Sequence, residues 1–378
     1  MEKQTKTLIN DYFAVHKEEL VSDLLELAKA ESPTGNREYV NRCCDVLCGI
    51  VKKRLGAEGE RFPQDEFGDH VMFKIGDGKR NCFLIGHYDT VWPVGNSARI
   101  AYEGNTVKGP GVFDMKFGII SSIWSLKAIF DLKLPFDKTV YLFYNSDEEV
   151  GSPTSKNIIL DKAKQCEAAL VLEPSQKGGI KTERKGVGIV DVHITGLASH
   201  SGSSYEAGIS AIDEASKIIT YLHSLTNLEK GTTVNVGVIN GGSARNVVAA
   251  ECKLLVDFRV KTAEECEKLL ANINAIKPNR EGLTVKVNGE LNRPPMERTQ
   301  GNIALYKKFS EVADHMEIEI HETATGGGSD GNFTSAIGVP TIDGMGAVGE
   351  GGHALSEHVV LDKSIERTAL LCAYWSAL

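Results

Sequence analysis

The sequence of 378 residues contains no long apolar run, since no stretch approaches the roughly 18 uninterrupted apolar residues of a membrane-spanning helix. The first twenty residues also lack the apolar core and the small-residue cleavage site of a secretory signal, and their spacing predicts an amphipathic helix instead. A basic stripe is missing as well, and the net charge is −9. We therefore expect neither a membrane partner nor a nucleic-acid partner.

The eight cysteines form no CxxC pair, and their spacing suits neither a zinc ribbon nor a small disulfide-linked scaffold. Most of them lie in apolar runs, so we expect reduced core residues and a cytoplasmic protein. The chain also contains no internal repeat and no low-complexity segment. With 42% apolar and 25% charged residues, the composition is that of a globular protein, and the length favours two domains.

Predicted helices and strands alternate in the first half of the chain. Helices are predicted at about 8–30, 37–55 and 115–131. Short apolar runs that predict strands are VMFKI, CFLIG, TVYLFY and AALVLE. This alternation indicates an α/β fold in which parallel strands are joined by crossover helices. In such sheets, ligands bind at the carboxyl ends of the strands.

The pattern changes near residue 184. An alternating strand, GVGIVDVHITG, is followed by a helix at about 205–226 and by the strands TTVNVGVING and ECKLLVDFRV. A helix at about 262–275 and the strand LTVKVNG complete a β-α-β-β-α-β order, which is that of a ferredoxin-like α+β sandwich. We therefore predict an inserted domain at 184–294, and a first domain formed by 1–183 and 295–378.

Polar clusters follow three of the predicted strands. HYD follows CFLIG, SDEE follows TVYLFY, and EP follows ALVL. His87 and Asp89 lie two residues apart, so both project to one face of an extended segment. The other clusters contribute Glu148, Glu149 and Glu173. An isolated acidic triplet is usually a solvated turn, but three clusters at one edge of a sheet predict a functional site.

Two glycine-rich loops supply further candidates. GPGVFDMKFG places Asp114 just before a helix, and GEGGHALSE contains His353. Two imidazoles and three carboxylates suffice for a pair of divalent cations that share one carboxylate, and zinc accepts both kinds of donor. A second, unbound carboxylate beside a ligand is suited to act as the catalytic base. Adjacent glutamates after a strand supply both. Any one of these residues alone would predict only a packed or solvated side chain.

Seven motifs in order resemble the M20 metallopeptidase family, and most closely its glutamate carboxypeptidase (carboxypeptidase G-type) branch. They are GHYDTV, GPGVFDMKFG, NSDEEVGS, LEPS, ASHSG, GGGSDGNF and GGHALSE. The resemblance runs from about residue 15 to the C-terminus. It implies a zinc-peptidase catalytic domain with a mixed sheet flanked by helices. It also implies that the inserted domain is a lid through which the chain forms a homodimer.

The resemblance further implies two zinc ions, with cobalt or manganese as alternatives. His87 and Glu173 would bind one ion, Glu149 and His353 the other, and Asp114 would bridge both. Each of these positions carries the residue type that the family requires.

Catalytic and substrate-binding roles are implied in the same way. Asp89 would orient the His87 ring, and Glu148 would be the general base. The residues implied to bind substrate are His200, Asn246, Arg259, Arg293 and Gly328. Arg293 matches an arginine that receives a substrate carboxylate, for which a guanidinium fork is well suited. A purely structural role is the alternative for Asn246, Arg259 and Arg293.

The implied function is hydrolysis of an amide bond beside a free carboxylate, in a small peptide or an N-acyl amino acid. Glutamate at position 173 favours the carboxypeptidase and deacylase branches. An N-acyl amino acid deacylase or desuccinylase and a dipeptidase are the alternatives within the family. A non-catalytic metal-binding protein is the alternative outside it, and it would be expected to lack Glu148 or a ligand. Glu357 is expected to support its loop.

Overall fold

The computed structural model describes residues 3–377, so residues 1, 2 and 378 of the predicted first domain lie outside the described part. The helices in that part are α1 (Lys3–Lys29), α2 (Arg37–Leu55), α3 (Phe117–Asp131), α4 (Lys156–Ala163), α5 (Ala211–Ser224), α6 (Ala263–Asn274), α7 (Gln300–Met316), α8 (Gly331–Ala336) and α9 (Leu361–Ala377). The strands are β1 (Glu60–Phe62), β2 (His70–Ile75), β3 (Arg80–His87), β4 (Ala101–Glu103), β5 (Thr106–Lys108), β6 (Lys138–Asn145), β7 (Ala168–Val171), β8 (Ile180–Arg184), β9 (Gly186–Thr195), β10 (Thr233–Gly241), β11 (Glu251–Val260), β12 (Thr284–Arg293), β13 (Glu322–Thr325), β14 (Thr341–Ile342), β15 (Gly349–Glu350) and β16 (His358–Val360).

The chain divides into two compact units. The first consists of Met1–Glu183, Arg298–Thr325 and Ser329–Leu378, and the second of Arg184–Glu297 and Gly326–Gly328. The second unit contains the whole segment 184–294 that was predicted as an inserted domain. It also takes in three glycines from the returning chain, which the sequence pattern did not indicate.

The first unit is built on a six-stranded sheet in the order β1-β2-β6-β3-β7-β14. Strands β6, β3, β7 and β14 are parallel, whereas β1 and β2 run antiparallel to their neighbours. The expected α/β fold with a mixed sheet is confirmed. The alternation of elements indicated parallel strands and did not reveal that β2 is antiparallel to its neighbours. Only four residues, 76–79, join β2 to β3. A crossover to a parallel strand needs a dozen or more, so the chain must reverse there.

Helices cover both faces of this sheet, which explains why its central strands are apolar almost throughout. On β3, Leu84 packs into a core shared with α1, α2, α3, α7 and α9. Its neighbours Phe83 and Ile85 face the opposite core, which also contains side chains from α4 and α8. No helix among the described residues is both long and apolar enough to cross a bilayer.

The parallel strands place their carboxyl ends at one edge of the sheet. His87, the last residue of β3, pairs in register with Asn145, the last residue of β6. Strand β7 lies on the other side of β3 and ends at Val171. The polar clusters that follow these three strands therefore start from the same edge, as the sequence predicted.

The second unit has an antiparallel sheet in the order β10-β11-β9-β12, packed against α5 and α6. This β-α-β-β-α-β arrangement confirms the ferredoxin-like prediction. Helix α5 begins at Ala211, six residues later than predicted. The reason is that Ile209 exchanges two backbone hydrogen bonds of 2.9 Å with Leu197, which holds residue 209 extended. Ser210 then caps the helix by accepting a hydrogen bond from the amide of Asp213.

Candidate metal centre

His87 lies at the bottom of a cluster of carboxylates in the first unit. Its imidazole is buried, and its Nε2 atom lies 3.3 Å from Asp114 Oδ1 and 3.6 Å from Glu173 Oε1. Glu148 Oε2 is 4.0 Å from the same nitrogen. Three acidic side chains from separate loops therefore meet one histidine. Two of them, Glu148 and Glu173, belong to the clusters expected after strands, and Asp114 belongs to the first glycine-rich loop.

His353 lies on the opposite side of Asp114. Its Nε2 atom is 3.1 Å from Glu149 Oε2 and 3.4 Å from Asp114 Oδ2. The two oxygens of Asp114 thus face different histidines, Oδ1 towards His87 and Oδ2 towards His353. This is the arrangement that a carboxylate shared between two cations requires.

Three buried atoms of the cluster have no hydrogen-bond partner among the described residues: His87 Nε2, Asp114 Oδ1 and Glu149 Oε1. Buried polar atoms are nearly always satisfied, so such orphans need an explanation. Here one potential ligand atom of each residue lies within 4.8 Å of those of the others, in the groups His87, Glu148, Glu173 and His87, Asp114, Glu149. Imidazole nitrogens and carboxylate oxygens that converge in this way fit a divalent cation of the zinc, cobalt or manganese type.

The pKa shifts of the cluster indicate that its carboxylates lack enough positive charge around them. Burial acts to lower the pKa of His87, but the surrounding carboxylates, Asp114 first, raise it well above its usual range. Asp114 and Glu149 raise the pKa of His353 to about 10. Burial raises the pKa of Glu149. The site therefore favours protons on its imidazoles, and divalent cations would satisfy the same carboxylates in their place.

Asp89 is fully buried behind the cluster. His87 Nδ1 lies 3.0 Å from the main-chain carbonyl of Asp89 and 3.4 Å from its carboxylate. The carboxylate accepts hydrogen bonds from the amides of Glu148 and Glu149, both at 3.3 Å, and from the Thr34 hydroxyl at 2.9 Å. Asp89 thus contacts the histidine as expected, and it also fixes the backbone of both glutamates, which the sequence did not reveal.

Asp147, the first acid of the triplet, has a structural role. Its buried carboxylate accepts hydrogen bonds from the amide and hydroxyl of Thr154, both at 2.7 Å, and from the amide and hydroxyl of Ser155 at 3.1 and 2.6 Å. His70 Nε2 lies 3.0 Å from the Thr154 hydroxyl. No role for Asp147 or His70 could be predicted from the sequence. Together they hold the turn that presents Glu148 and Glu149, and only the tertiary fold brings them to it.

The five residues expected to bind substrate all lie in the second unit. Two of them are on adjoining loops, since Ser201 donates its amide to the Asn246 carbonyl at 3.0 Å, and His200 forms a backbone bridge with Val247. His200 Nδ1 lies 3.1 Å from the amide of Gly202 and accepts its hydrogen bond. This leaves Nε2 to carry the proton in the neutral ring.

The remaining three gather around the glycine loop 326–328. Arg259 forms a two-pronged ion pair with Asp257, with both N–O distances at 2.9 Å. Arg293 is buried and packs so closely on Gly328 that a Cβ there would lie 2.8 Å from the arginine Cδ. Arg184, which sequence reasoning missed, donates to the Gly328 carbonyl at 2.9 Å. Substrate binding by these residues stays a prediction.

Comparison with known proteins gives independent information on the whole chain. Residues 182–280 match the M20 peptidase dimerisation domain. The chain is 28% identical over 367 residues to carboxypeptidase G2 from Pseudomonas sp. (strain RS-16), which covers 94% of this chain and 88% of that protein. It is 27% identical over 244 residues to the acetylornithine deacetylase of Myxococcus xanthus, and the aligned region covers 59% of this chain and 62% of that protein.

A solved structure agrees with the fold. The M20 family metallo-carboxypeptidase Sso-CP2 from Sulfolobus solfataricus superposes with a TM-score of 0.77 at 18% identity, covering 95% of this chain and 100% of that chain. At this identity the similarity establishes the shared fold.

Proposed function

Because this chain is homologous to the M20 metallopeptidases and contains their dimerisation domain, we propose that it is a two-metal hydrolase that cleaves an amide bond beside a free carboxylate. The observation that carries the proposal is the position of Asp114, whose two oxygens face His87 on one side and His353 on the other. We propose zinc as the metal, with cobalt and manganese as the alternatives.

In this proposal, His87 and Glu173 would hold one ion, Glu149 and His353 would hold the other, and Asp114 would be shared between them. Bound divalent cations of this kind lower the pKa of water and polarise a substrate carbonyl. The contribution of the chain is to fix the donors in a buried pocket.

Glu148 is the proposed general base. It lies next to a ligand in sequence, and the amides of both glutamates are held by the Asp89 carboxylate. Glu148 accepts a proton from the attacking water and delivers it to the leaving amine. The backbone hydrogen bonds limit the rotation of the turn, so the two neighbouring carboxylates keep separate tasks.

The proposed substrates are small peptides and N-acyl amino acids with a free carboxylate. The names of the relatives support this class, since one is a carboxypeptidase and one removes an acetyl group from an amino acid. Arg293 is the proposed partner of the substrate carboxylate. A deacylase or desuccinylase and a dipeptidase are the alternative functions, and they differ in the group on the substrate nitrogen.

A matched substrate panel tests this function. Purified protein is supplied with zinc, cobalt or manganese, and cleavage is measured for N-acyl amino acids, their C-terminal amides, free dipeptides and N-acetylated dipeptides. We expect the free acids to be cleaved at least about 100-fold faster than the C-terminal amides, because a carboxylate can accept two charge-assisted hydrogen bonds from Arg293 and an amide cannot. Faster cleavage of free dipeptides than of acylated ones would favour the dipeptidase. Absence of both cleavage and divalent-metal binding would contradict the proposal.

We also propose a homodimer that forms through the second unit. Strand β10 is at the edge of its sheet and exposes Val238 and Ile239. On the same unit, the matched domain is described as a dimerisation domain. We further propose a reducing, cytoplasmic compartment, because all eight cysteines are unpaired and six of them are buried.

A further inference from the structure

The carboxylate of Glu357 binds the turn that carries Asp114. It is buried, with 2% of the residue exposed. Its Oε1 atom accepts hydrogen bonds from the amides of Phe113 and Asp114 at 3.0 and 3.1 Å. Its Oε2 atom accepts hydrogen bonds from the amide of Gly111 at 3.0 Å and from the indole of Trp92 at 2.8 Å. Four N–H donors therefore saturate the four acceptor positions of one carboxylate.

The same residue also anchors the loop that carries His353. Its amide donates to the Ala354 carbonyl at 2.9 Å, and its carbonyl accepts from the Gly109 amide at 3.1 Å. Two residues earlier, the Leu355 carbonyl accepts a hydrogen bond of 2.8 Å from Arg99, whose guanidinium stacks 4.9 Å above the Trp92 ring. Glu357 is thus the point at which the two loops are joined.

This connection matters because His353 lies in the turn between the short strands β15 and β16, which pair through Gly349 with Val359 and through Glu350 with His358. The His353 side chain is 52% exposed, and its backbone has a φ of 64°, in the left-handed region that a residue with a Cβ adopts at a cost. Two glycines precede it, and they add conformational freedom. The hydrogen bonds of Glu357 therefore add to the pairing of β15 with β16 in keeping His353 opposite Asp114.

We propose that Glu357 is a positioning residue that sets the metal pocket before a cation binds, by holding the Asp114 turn and the His353 loop in one arrangement. The inference rests on the proposed two-metal function and adds a determinant of metal affinity to it. Glu357 itself contacts no ligand side chain through its carboxylate. It acts through the backbone of Asp114 and through its own position four residues after His353.

The variant Glu357→Gln tests this directly. The amide keeps the volume of the side chain, but it replaces one acceptor oxygen with an NH₂ donor that faces two other donors. A matched control is Asp23→Asn, because Asp23 is also a fully buried carboxylate with an indole donor, Trp124 Nε1 at 2.9 Å. Asp23 belongs to helix α1, outside both ligand loops. Loss of a buried carboxylate is therefore common to both variants, and only one of them touches the metal pocket.

The measurement is zinc affinity of the metal-free full chain, by competition with a chromogenic chelator, together with amide hydrogen exchange of residues 109–116. For Glu357→Gln we expect a loss in zinc affinity of about 10- to 100-fold, the range seen when support of metal ligands is removed. Exchange at 109–116 should be faster in this variant alone. Asp23→Asn should lower thermal stability and keep zinc affinity within about twofold.

Each result decides the proposal. Unchanged zinc affinity in folded Glu357→Gln, or an equal loss in Asp23→Asn, would overturn it. If Glu357→Gln does not fold, Trp92→Phe decides, since it removes one of the four donors. A fall in zinc affinity of about twofold to tenfold in Trp92→Phe, as expected for the loss of one hydrogen bond, supports the inference, and an unchanged zinc affinity overturns it. Failure of the wild-type chain to bind zinc, cobalt or manganese would instead count against the proposed function.

Discussion

Glu148 and Glu149 are neighbours in sequence, yet their surroundings differ. Glu149 Oε2 lies 3.1 Å from His353 Nε2, and its side chain is 7% exposed. Glu148 Oε2 lies 4.0 Å from the nearest imidazole nitrogen, His87 Nε2, and its side chain is 12% exposed. Glu149 therefore lies against a histidine that is a proposed ligand, whereas Glu148 lies farther from the nearest imidazole. This difference is the physical basis for the proposed division of tasks.

We predict opposite effects for the two alanine variants. Glu148→Ala should retain nearly full metal content while the turnover number falls by a factor on the order of 10² or more, because a general base is lost. Glu149→Ala should lose metal, because a ligand is lost. Metal content is measured by elemental analysis after gel filtration, and turnover with saturating metal. Equal loss of metal in both variants would contradict the division.

The ligand candidates could be predicted from the sequence because each follows an apolar run or lies in a glycine-rich loop. His87 is the last residue of one strand that the sequence reveals through its composition, and Glu149 and Glu173 follow two others within a few residues. Asp147 and Glu357 could not be assigned in this way. Their partners are hydroxyls, backbone amides and an indole, and local sequence says nothing about where such donors lie. Buried carboxylates that bind amides become recognisable only when the fold is known.

At the scale of elements, the direction of β2 and the start of α5 differ from what the sequence pattern indicated, and both differences have local causes. Strand β2 is antiparallel because its link to β3 is short, and α5 starts late because Ile209 pairs with Leu197. Periodicity of apolar residues reports which face is buried, but it does not report strand direction or a single extended residue before a helix. The direction of a strand depends on the length of the connection to its neighbour in sequence. That length can be read from the sequence, but the alternation of helices and strands does not express it.

Helix α1 is tied to the Asp114 turn by a buried lysine. Lys116 is 1% exposed, and its Nζ atom donates to the carbonyls of Ala30 and Leu27 at 2.8 and 3.2 Å. Leu27 lies in the last turn of α1, where carbonyls lack intrahelical donors, and Ala30 directly follows the helix. The positive charge is also favourable at the negative end of the helix. The same contact connects α1 to the chain around Lys116, which lies two residues after the proposed ligand Asp114.

We predict that Lys116→Met lowers the free energy of unfolding by about 1–3 kcal/mol, since methionine fills the space but leaves buried carbonyls without a donor. Urea denaturation of the metal-free chain measures the change. The control is Lys17→Met, which removes a half-exposed ion pair with Asp362 of 2.9 Å and should cost at most about 1 kcal/mol. Equal shifts in the two variants would show that the helix end does not depend on Lys116.

At the scale of the whole molecule, the two units have different tasks in the proposed function. The first unit contains every residue of the metal cluster, and the second contains every residue expected to bind substrate. A chain organised in this way separates the chemistry from recognition. The sequence predicted this organisation through the change of pattern near residue 184, because an all-antiparallel unit alternates polar and apolar residues whereas the strands of a covered sheet do not.

The exposed edge of the second unit leads to a prediction about assembly. Ile239 is 51% exposed on β10, an edge strand, and exposed apolar edge strands pair readily with other chains. Ile239→Lys should therefore weaken the proposed dimer by about 100-fold or more, because it would place a charge in the proposed interface. Sedimentation equilibrium measures the dissociation constant. The control is Leu228→Lys, which changes a residue that is 76% exposed, outside the strand. A wild-type chain that sediments as a monomer at micromolar concentration would contradict the dimer, and an intact Ile239→Lys dimer would place its interface on another surface.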